Sequence, residues 1–560
     1  MKRLLFMLLL CGVVIALRAV PARPGVWKTL TLKDGTEVRA LLSGDEFRHC
    51  WKGIDGRQYV KAGDSYVEID AATMKFRPMS FRSMSRRAAQ SSTILSRRVT
   101  PGAHTHFTGH KKGLVILAEF TDVKFKTGNN RDKYDDILNK EGYTSQEGFV
   151  GSVYDYFKAQ SGGQFELNFD VFGPVALKHP RKYYGENDED DNDMRPEEMI
   201  IEACKAVNSQ VDFRNYDWDE DGEVDEVFVV YADKGEADGG SSYTIWPHMY
   251  ALEWSGNRLI LDQMRINTYA CANEINHLGN IEGIGGFCHE FSHCLGYPDL
   301  YDVANGFEIA WGEYDLMDGG CYNGNGFRPA GYSAYEKWMA GWINLTVLSD
   351  KNVTVSNMKP VSEGGNGYII YNDGHPDEYY ILENRQQTNW DQNIPGRGLM
   401  ITHVDFDSLI WYLNVPNSIL TSTDSYVTDY DYPLNDHARI IIVRADNKAS
   451  LASSSMAHDL YPYLRNDSLT ATSKPAAIFH NFNMQGNRFM QGAILKIKQN
   501  LDGTVNFVYR SPFTDTGIHD VLPDIERKQT GVYDLQGRRY TENSLTKGVY
   551  IMNGKKVMVR

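Results

Sequence analysis

Residues 283–302 read G-I-G-G-F-C-H-E-F-S-H-C-L-G-Y-P-D-L-Y-D. His289 and His293 stand four positions apart, one helical turn, so both imidazoles leave the same face and can grip one metal ion. Glu290 follows the first histidine, where its carboxylate can act as general base on a water activated by that metal. Gly285-Gly286 before the run and Gly296 after it weaken ordinary helix packing, which suits a reaction centre better than a core. The chemistry expected of this triplet is zinc-assisted hydrolysis of a peptide bond. A catalytic zinc needs a third protein ligand and leaves its fourth position to water or substrate.

Two residues compete for that third place. The metzincin pattern puts a ligand three residues after the glycine, and here that residue is Asp299, an oxygen ligand in place of histidine. A gluzincin arrangement would take a glutamate about twenty residues on, a distance Glu313 fits. Gly296 and Pro298 break the helix where a turn is needed, whereas Trp311-Gly312 is a poor helical setting for Glu313, so Asp299 is the expected ligand. The tetrahedral oxyanion also needs a donor; Tyr314 and Tyr332 are chemically able, and the sequence selects neither.

A second cation is expected at Asp217-Trp218-Asp219-Glu220-Asp221-Gly222-Glu223-Val224-Asp225. Asp217, Asp219, Asp221 and Asp225 take EF-hand-like positions with glycine sixth, and Glu223 adds another carboxylate. Phe228 stands where an EF-hand has glutamate, so the reading is a structural calcium loop without EF-hand helices. The run Glu186–Asp193 lacks a turn glycine and reads as a charged loop, and His248 and His403 read as structural. Six cysteines follow the leader: Cys50, Cys204, Cys271, Cys288, Cys294 and Cys321. Their spacing matches no CxxC zinc pattern, and they read as buried apolar residues with at most one or two bridges. Cys288 and Cys294 are too far apart on one helix to bridge each other. Cys50 reads as a buried structural residue, a thiolate masking zinc being the alternative.

The elements that must hold these residues follow from composition and patterning. With 560 residues, 42% hydrophobic and 23% charged, the chain is folded and exceeds one core. Its net charge of −15 argues against nucleic acid or an anionic membrane as partner. Lys2-Arg3 followed by an apolar run to Leu17 reads as a signal peptide over 1–22, too short to span a bilayer. Alternation with turns at Asp34-Gly35, Gly44-Asp45, Asp55-Gly56 and Gly63-Asp64 predicts a β-rich propeptide-like module over 23–80. A Ser- and Arg-rich linker or processing region follows at 81–107.

Between 108 and 345 strand and helix patterns mix, giving an α+β domain. Leu114–Glu119, Phe165–Val171 and Val227–Tyr231 read as strands, and Val153, Tyr154 and Phe157 mark a helix. Another helix starts near Pro196, with Asp193 as its expected cap. From 346 to 512 helical signals nearly vanish and short strands predict an all-β, sandwich-like domain. A small β module closes the chain at 513–560, with turns at Gly537 and Gly554.

The run H-E-F-S-H-C-L-G-Y-P-D-L-Y-D, followed by W-G-E-Y-D-L-M-D-G-G at 311–320, resembles the immune-inhibitor-A-like family of secreted bacterial metallopeptidases. A-Y-E-K-W-M-A-G-W at 334–342 is similar to that family's closing helix, and Y-Y-I-L-E-N-R-Q-Q (379–387) and P-G-R-G-L-M-I-T-H-V-D (395–405) to its downstream β domain. The resemblance spans about residues 108–510. It implies a metzincin-like catalytic fold, zinc held by His289, His293 and Asp299, Glu290 as base, and Met317 as the Met-turn. The leader, the small module and the basic linker together read as a zymogen that is secreted or held at the cell surface; protein or peptide substrates, a monomer and no transmembrane segment in the mature chain are expected. Residues 532–560 resemble the C-terminal sorting domain of type IX secretion cargo. The rival reading is a surface adhesin with a vestigial zinc site; the intact Glu290 speaks against it.

Overall fold

Alternation between residues 25 and 70 builds an antiparallel meander, each hairpin closing at one of the glycine turns. The computed structural model describes residues 18–46, 49–63, 65–69, 107–188, 192–304, 311–424, 427–428, 432–448, 453–513 and four short strands beyond 531. The signal-peptide residues up to 17, the linker up to 106, and the turns expected at Gly537 and Gly554 lie outside the described residues. The first strand, β1 (Arg18–Ala19), precedes the meander of β2 (Trp27–Thr31), β3 (Glu37–Gly44), β4 (His49–Gly53), β5 (Gln58–Ala62) and β6 (Ser65–Ile69).

The central sheet is carried by β7 (Gly109–Glu119), β8 (Phe165–Ala176), β9 (Val227–Lys234), β10 (His248–Ala251) and, after a hairpin of β11 (Leu259–Leu261) and β12 (Met264–Ile266), β13 (Thr268–Ile275). Strand order is β1-β10-β13-β9-β7-β8. β8, β7, β9 and β13 run parallel, and β10 runs antiparallel to β13. β9 and β13 are buried almost throughout, and β7 from Gly113 to Ala118, as expected of strands covered on both faces. Four helices flank the sheet: α1 (Arg131–Asn139), α2 (Val153–Gln160), α3 (Arg181–Gly185) and α4 (Pro196–Val207). In α2, Ser152 and Asp155 form a capping box. The cap expected for α4 is not formed. Arg195 holds that position without a side-chain bond, because Asp193 instead accepts the backbone N–H of Trp246 at 2.8 Å.

The HExxH run is α5 (Gly285–Cys294), and α6 (Ala334–Met339) follows with a second capping box, Ser333 and Glu336. Beyond them, β14 (Thr346–Val347), β15 (Val353–Met358), β16 (Tyr368–Asn372), β17 (His375–Arg385), β18 (Gly398–Asp405), β19 (Ile440–Ile442), β20 (Ala493–Gln499) and β21 (Val505–Arg510) form two sheets, β14-β16-β17-β18-β19 and β15-β21-β20. Residues including Tyr380, Leu399, Ile494 and Phe507 form a core between them. This region is not purely strand: α7 (Ser408–Tyr412) starts at Asp407, whose side chain accepts the backbone N–H groups of Leu409 and Ile410. Five residues are too few to show helical periodicity in sequence.

Residues up to Ser511 belong to one compact unit. Its main core runs without interruption from Ala19 to Leu460. Ala19, Val20, Ala22 and Arg23 are buried in it, so the signal boundary expected at residue 22 falls inside packed structure. The second unit, Pro512–Arg560, contains β22 (Val532–Asp534), β23 (Arg539–Tyr540), β24 (Gly548–Met552) and β25 (Lys555–Val559) in one antiparallel sheet. Cys50, Cys204, Cys271, Cys288, Cys294 and Cys321 are free thiols, five of them buried. Among the described residues no helix is long and apolar enough to cross a membrane.

Candidate active site

Helix α5 owes its position to glycine. A side chain at Gly285 would collide with the carbonyl of Cys321, so the helix start can lie directly on the segment Gly319–Gly326 only without a Cβ. His289, Glu290 and His293 are completely buried on this helix, as is Asp299 in the turn after it. Gly296 makes that turn with φ +96°.

Each histidine is fixed through its rear nitrogen. His289 Nδ1 lies 2.8 Å from the Leu316 carbonyl and His293 Nδ1 2.8 Å from the Tyr297 carbonyl, so both Nε2 atoms are left for a metal. Both face one oxygen: Asp299 Oδ1 is 3.2 Å from His289 Nε2 and 3.4 Å from His293 Nε2. Ligands at zinc bond lengths in tetrahedral array stand about 3.3 Å apart. Moreover, His289 Nε2 and Asp299 Oδ1 make no hydrogen bond despite complete burial. The donor set and its spacing therefore fit a zinc ion. Burial pushes the Asp299 carboxyl up, but His293 and His289 outweigh it and hold the group well below the usual carboxylate range. Glu313 stands outside this cluster, in a 3₁₀ turn at Gly312–Tyr314. Met317 is buried; its carbonyl accepts the N–H of Leu300 at 2.9 Å, while the preceding Leu316 orients His289.

The two tyrosines chemically able to serve as oxyanion donors, neither of them selected by the sequence, are committed elsewhere. Tyr314 donates to the Met456 carbonyl at 2.6 Å, and the Tyr332 hydroxyl pairs with Ser292 inside the helix packing. A third, Tyr301, stands two residues beyond Asp299. Its hydroxyl donates to the Ala19 carbonyl at 2.6 Å and lies 3.2 Å from Asp45 Oδ2; burial, then Asp299, Asp45 and Glu290, push it well above the usual phenol range. Ala19 itself pairs antiparallel with His248 on β10, the sheet's edge apart from this addition.

Residues 104–345 match the model of the immune inhibitor A peptidase M6 catalytic domain. This stretch belongs to that peptidase family. Two curated relatives agree. The pre-pro-metalloprotease PrtV of Vibrio cholerae serotype O1 is 27% identical over 291 residues, covering 42% of this chain and 31% of its own length. Immune inhibitor A of Bacillus thuringiensis subsp. alesti is 26% identical over 298 residues, covering 42% of this chain and 41% of its own. The chain thus spans less than half the length of either relative.

The peptidase domain leans on residues outside its own stretch. Asn414, just after α7, accepts the Asp299 N–H at 2.7 Å and donates to Asp299 Oδ2 at 2.5 Å, clasping the expected ligand from behind. Asn417 and Ser418 hold the next turns, through the Leu300 carbonyl and the Ala304 N–H. From β17, Glu383 accepts the Ala334 N–H at the start of α6. Arg385, fully buried, forms a two-pronged pair with Asp391 and donates to the carbonyls of Tyr314 and Gly331. Asn414 carried one local signal in sequence, an asparagine after a short aromatic run; its partner lies 115 positions away, and no pattern pairs them.

The acidic loop divides. Asp217, Asp219 and Asp221 bring carboxylate oxygens within 4.8 Å of one another. Glu223 pairs with Arg265 at 3.1 Å, and Asp225 takes the Trp218 N–H, so neither joins the three.

Removing the Asn414 amide leaves Asp299 free to swing. Asn414→Ala is expected to weaken zinc binding by about 10–100-fold with the fold intact. Competition against a chromophoric chelator reads the affinity; wild-type affinity would remove Asn414 from the site.

Proposed function

We propose that this chain is an exported zinc endopeptidase, made as a latent precursor, that hydrolyses peptide bonds of extracellular proteins. The observation that carries the reading is the convergence of His289 Nε2, His293 Nε2 and Asp299 Oδ1 beside the buried Glu290. A zinc ion bound there would polarise the scissile carbonyl and acidify the attacking water. Glu290 takes the proton from that water and delivers it to the leaving amine. Tyr301 is the donor we assign to the developing oxyanion, since its hydroxyl already donates to a main-chain carbonyl, that of Ala19.

A substrate strand would add to β10 as β1 does, taking main-chain hydrogen bonds from an edge otherwise open. In the full chain β1 occupies that edge, and latency follows until the amino-terminal module is cut away in the 81–107 linker. Export with a signal ending before Arg18 keeps this packing. Asp217, Asp219 and Asp221 would hold calcium, with Glu223 and Asp225 bracing the loop rather than ligating. Residues 513–560 would serve as the sorting module, the final address being the medium or the cell surface.

The kinetic test uses internally quenched peptides and chain processed in the linker. Hydrolysis should vanish with a zinc chelator and return with zinc. Glu290→Gln should keep the metal and lose about 10²–10⁴-fold in kcat/KM, and Tyr301→Phe should lose about 10²–10³-fold in kcat with KM little changed. Near-normal turnover of Glu290→Gln would sink the mechanism. Calcium has its own check: EGTA should lower the Tm, and an unchanged Tm would remove calcium from the loop.

A further inference from the structure

A second convergence of ligand atoms lies beside β10, sharing none of its ligands with the cluster on α5. Glu46, in the loop after β3, Asp193, before α4, and His248, the first residue of β10, bring one ligand atom each within 4.8 Å of one another. They are 5%, 1% and 2% exposed. Glu46 Oε2 and Asp193 Oδ1 make no hydrogen bond, although both are buried. Two carboxylates thus meet in the interior, and among the described residues neither forms an ion pair with lysine or arginine. Burial pushes both carboxyls well above their usual range; neighbouring acids add to it at Glu46, and the Trp246 N–H works against it at Asp193.

The imidazole has the geometry of a ligand. His248 Nδ1 is 3.3 Å from Glu46 Oε2, between the 3.2 and 3.4 Å that separate the nitrogens of α5 from Asp299. It is also 2.7 Å from the Trp246 carbonyl, while Nε2 lies 3.1 Å from the Tyr269 hydroxyl. With its proton on Nε2, given to Tyr269, His248 directs the Nδ1 lone pair at the carboxylates, and the Trp246 carbonyl stands ready as a fourth donor. The alternative proton on Nδ1 serves Trp246 but leaves the carboxylates uncompensated. Asp193 is steered into the cluster by the Trp246 N–H on its other oxygen, which is also why it is lost as the cap of α4.

We propose that Glu46, Asp193 and His248 bind a second divalent transition-metal ion, zinc or manganese, that stitches the amino-terminal module to the peptidase sheet. One nitrogen with two or three oxygens is a borderline N/O set that suits these ions; calcium wants six to eight oxygens. Because Glu46 belongs to the module, while His248 lies on β10 and Asp193 in the segment before α4, the site is complete only while the module is in place. The inference stands apart from the proposed hydrolysis in its ligands, none of which is shared with His289, His293 and Asp299.

The test uses the full chain carrying His289→Ala and His293→Ala, which removes the first site's imidazoles. After loading with zinc or manganese and desalting, elemental analysis should find about one ion per chain. Adding Glu46→Gln or His248→Gln should lower that at least tenfold, with circular dichroism reporting the fold. X-ray absorption on the zinc-loaded chain with the second site intact should show one imidazole among oxygen scatterers, and this reading does not depend on the added variants folding. No retained ion, an ion undiminished by both changes, or a shell with no imidazole or with two would overturn the proposal; the first would mean that a shared proton holds the two carboxylates together.

Discussion

Everything in this fold answers to one constraint: two imidazole nitrogens must be held within 3.4 Å of one carboxylate oxygen where no water reaches. Such atoms do not gather by themselves, since each loses hydration on burial. The chain holds them from behind. Two carbonyls fix the imidazoles, and one asparagine fixes both the backbone and the side chain of Asp299. Gly285 is part of the same arrangement, because only its bare backbone lets α5 lie on the segment that follows the Met317 turn.

That support explains why the compact unit does not end where the family match ends. The matched stretch closes at residue 345, but Asn414, Glu383 and Arg385 come from the strands and loops beyond it. A buried guanidinium shared between Asp391 and two carbonyls is costly to desolvate and more costly to break, about 3–5 kcal/mol when one partner is removed. It ties β17 to the turn that orients His289. The downstream sheets are therefore part of the reaction centre's frame, and the amino-terminal segment, through Ala19 and Tyr301, closes it from the other side.

Local patterns in the sequence were enough for the elements and for the first three site residues. His289, Glu290 and His293 are legible because one helical turn brings them together, and the β2–β6 hairpins because Asp-Gly and Gly-Asp pairs mark their ends. Asp299 needed a turn, and Gly296 with Pro298 announced one. What escaped is long-range. The sequence selected neither Tyr314 nor Tyr332 as oxyanion donor and did not point to Tyr301, because a hydroxyl's direction depends on packing that no spacing encodes. Asp193 looked like a helix cap from its neighbours, yet the backbone N–H of Trp246, 53 positions away and just before β10, claims its oxygen. In the acidic loop, alternation gave five carboxylates equal standing, but Arg265 drew Glu223 away.

The central claim is that His289, His293 and Asp299 together hold the reaction's metal. Anomalous diffraction at the zinc edge, from crystals of the full chain grown with zinc, tests it most directly. The account predicts a peak about 2.0–2.2 Å from His289 Nε2, His293 Nε2 and a carboxylate oxygen of Asp299. A peak there that Asp299 does not touch, with Glu313 in its place, would contradict it.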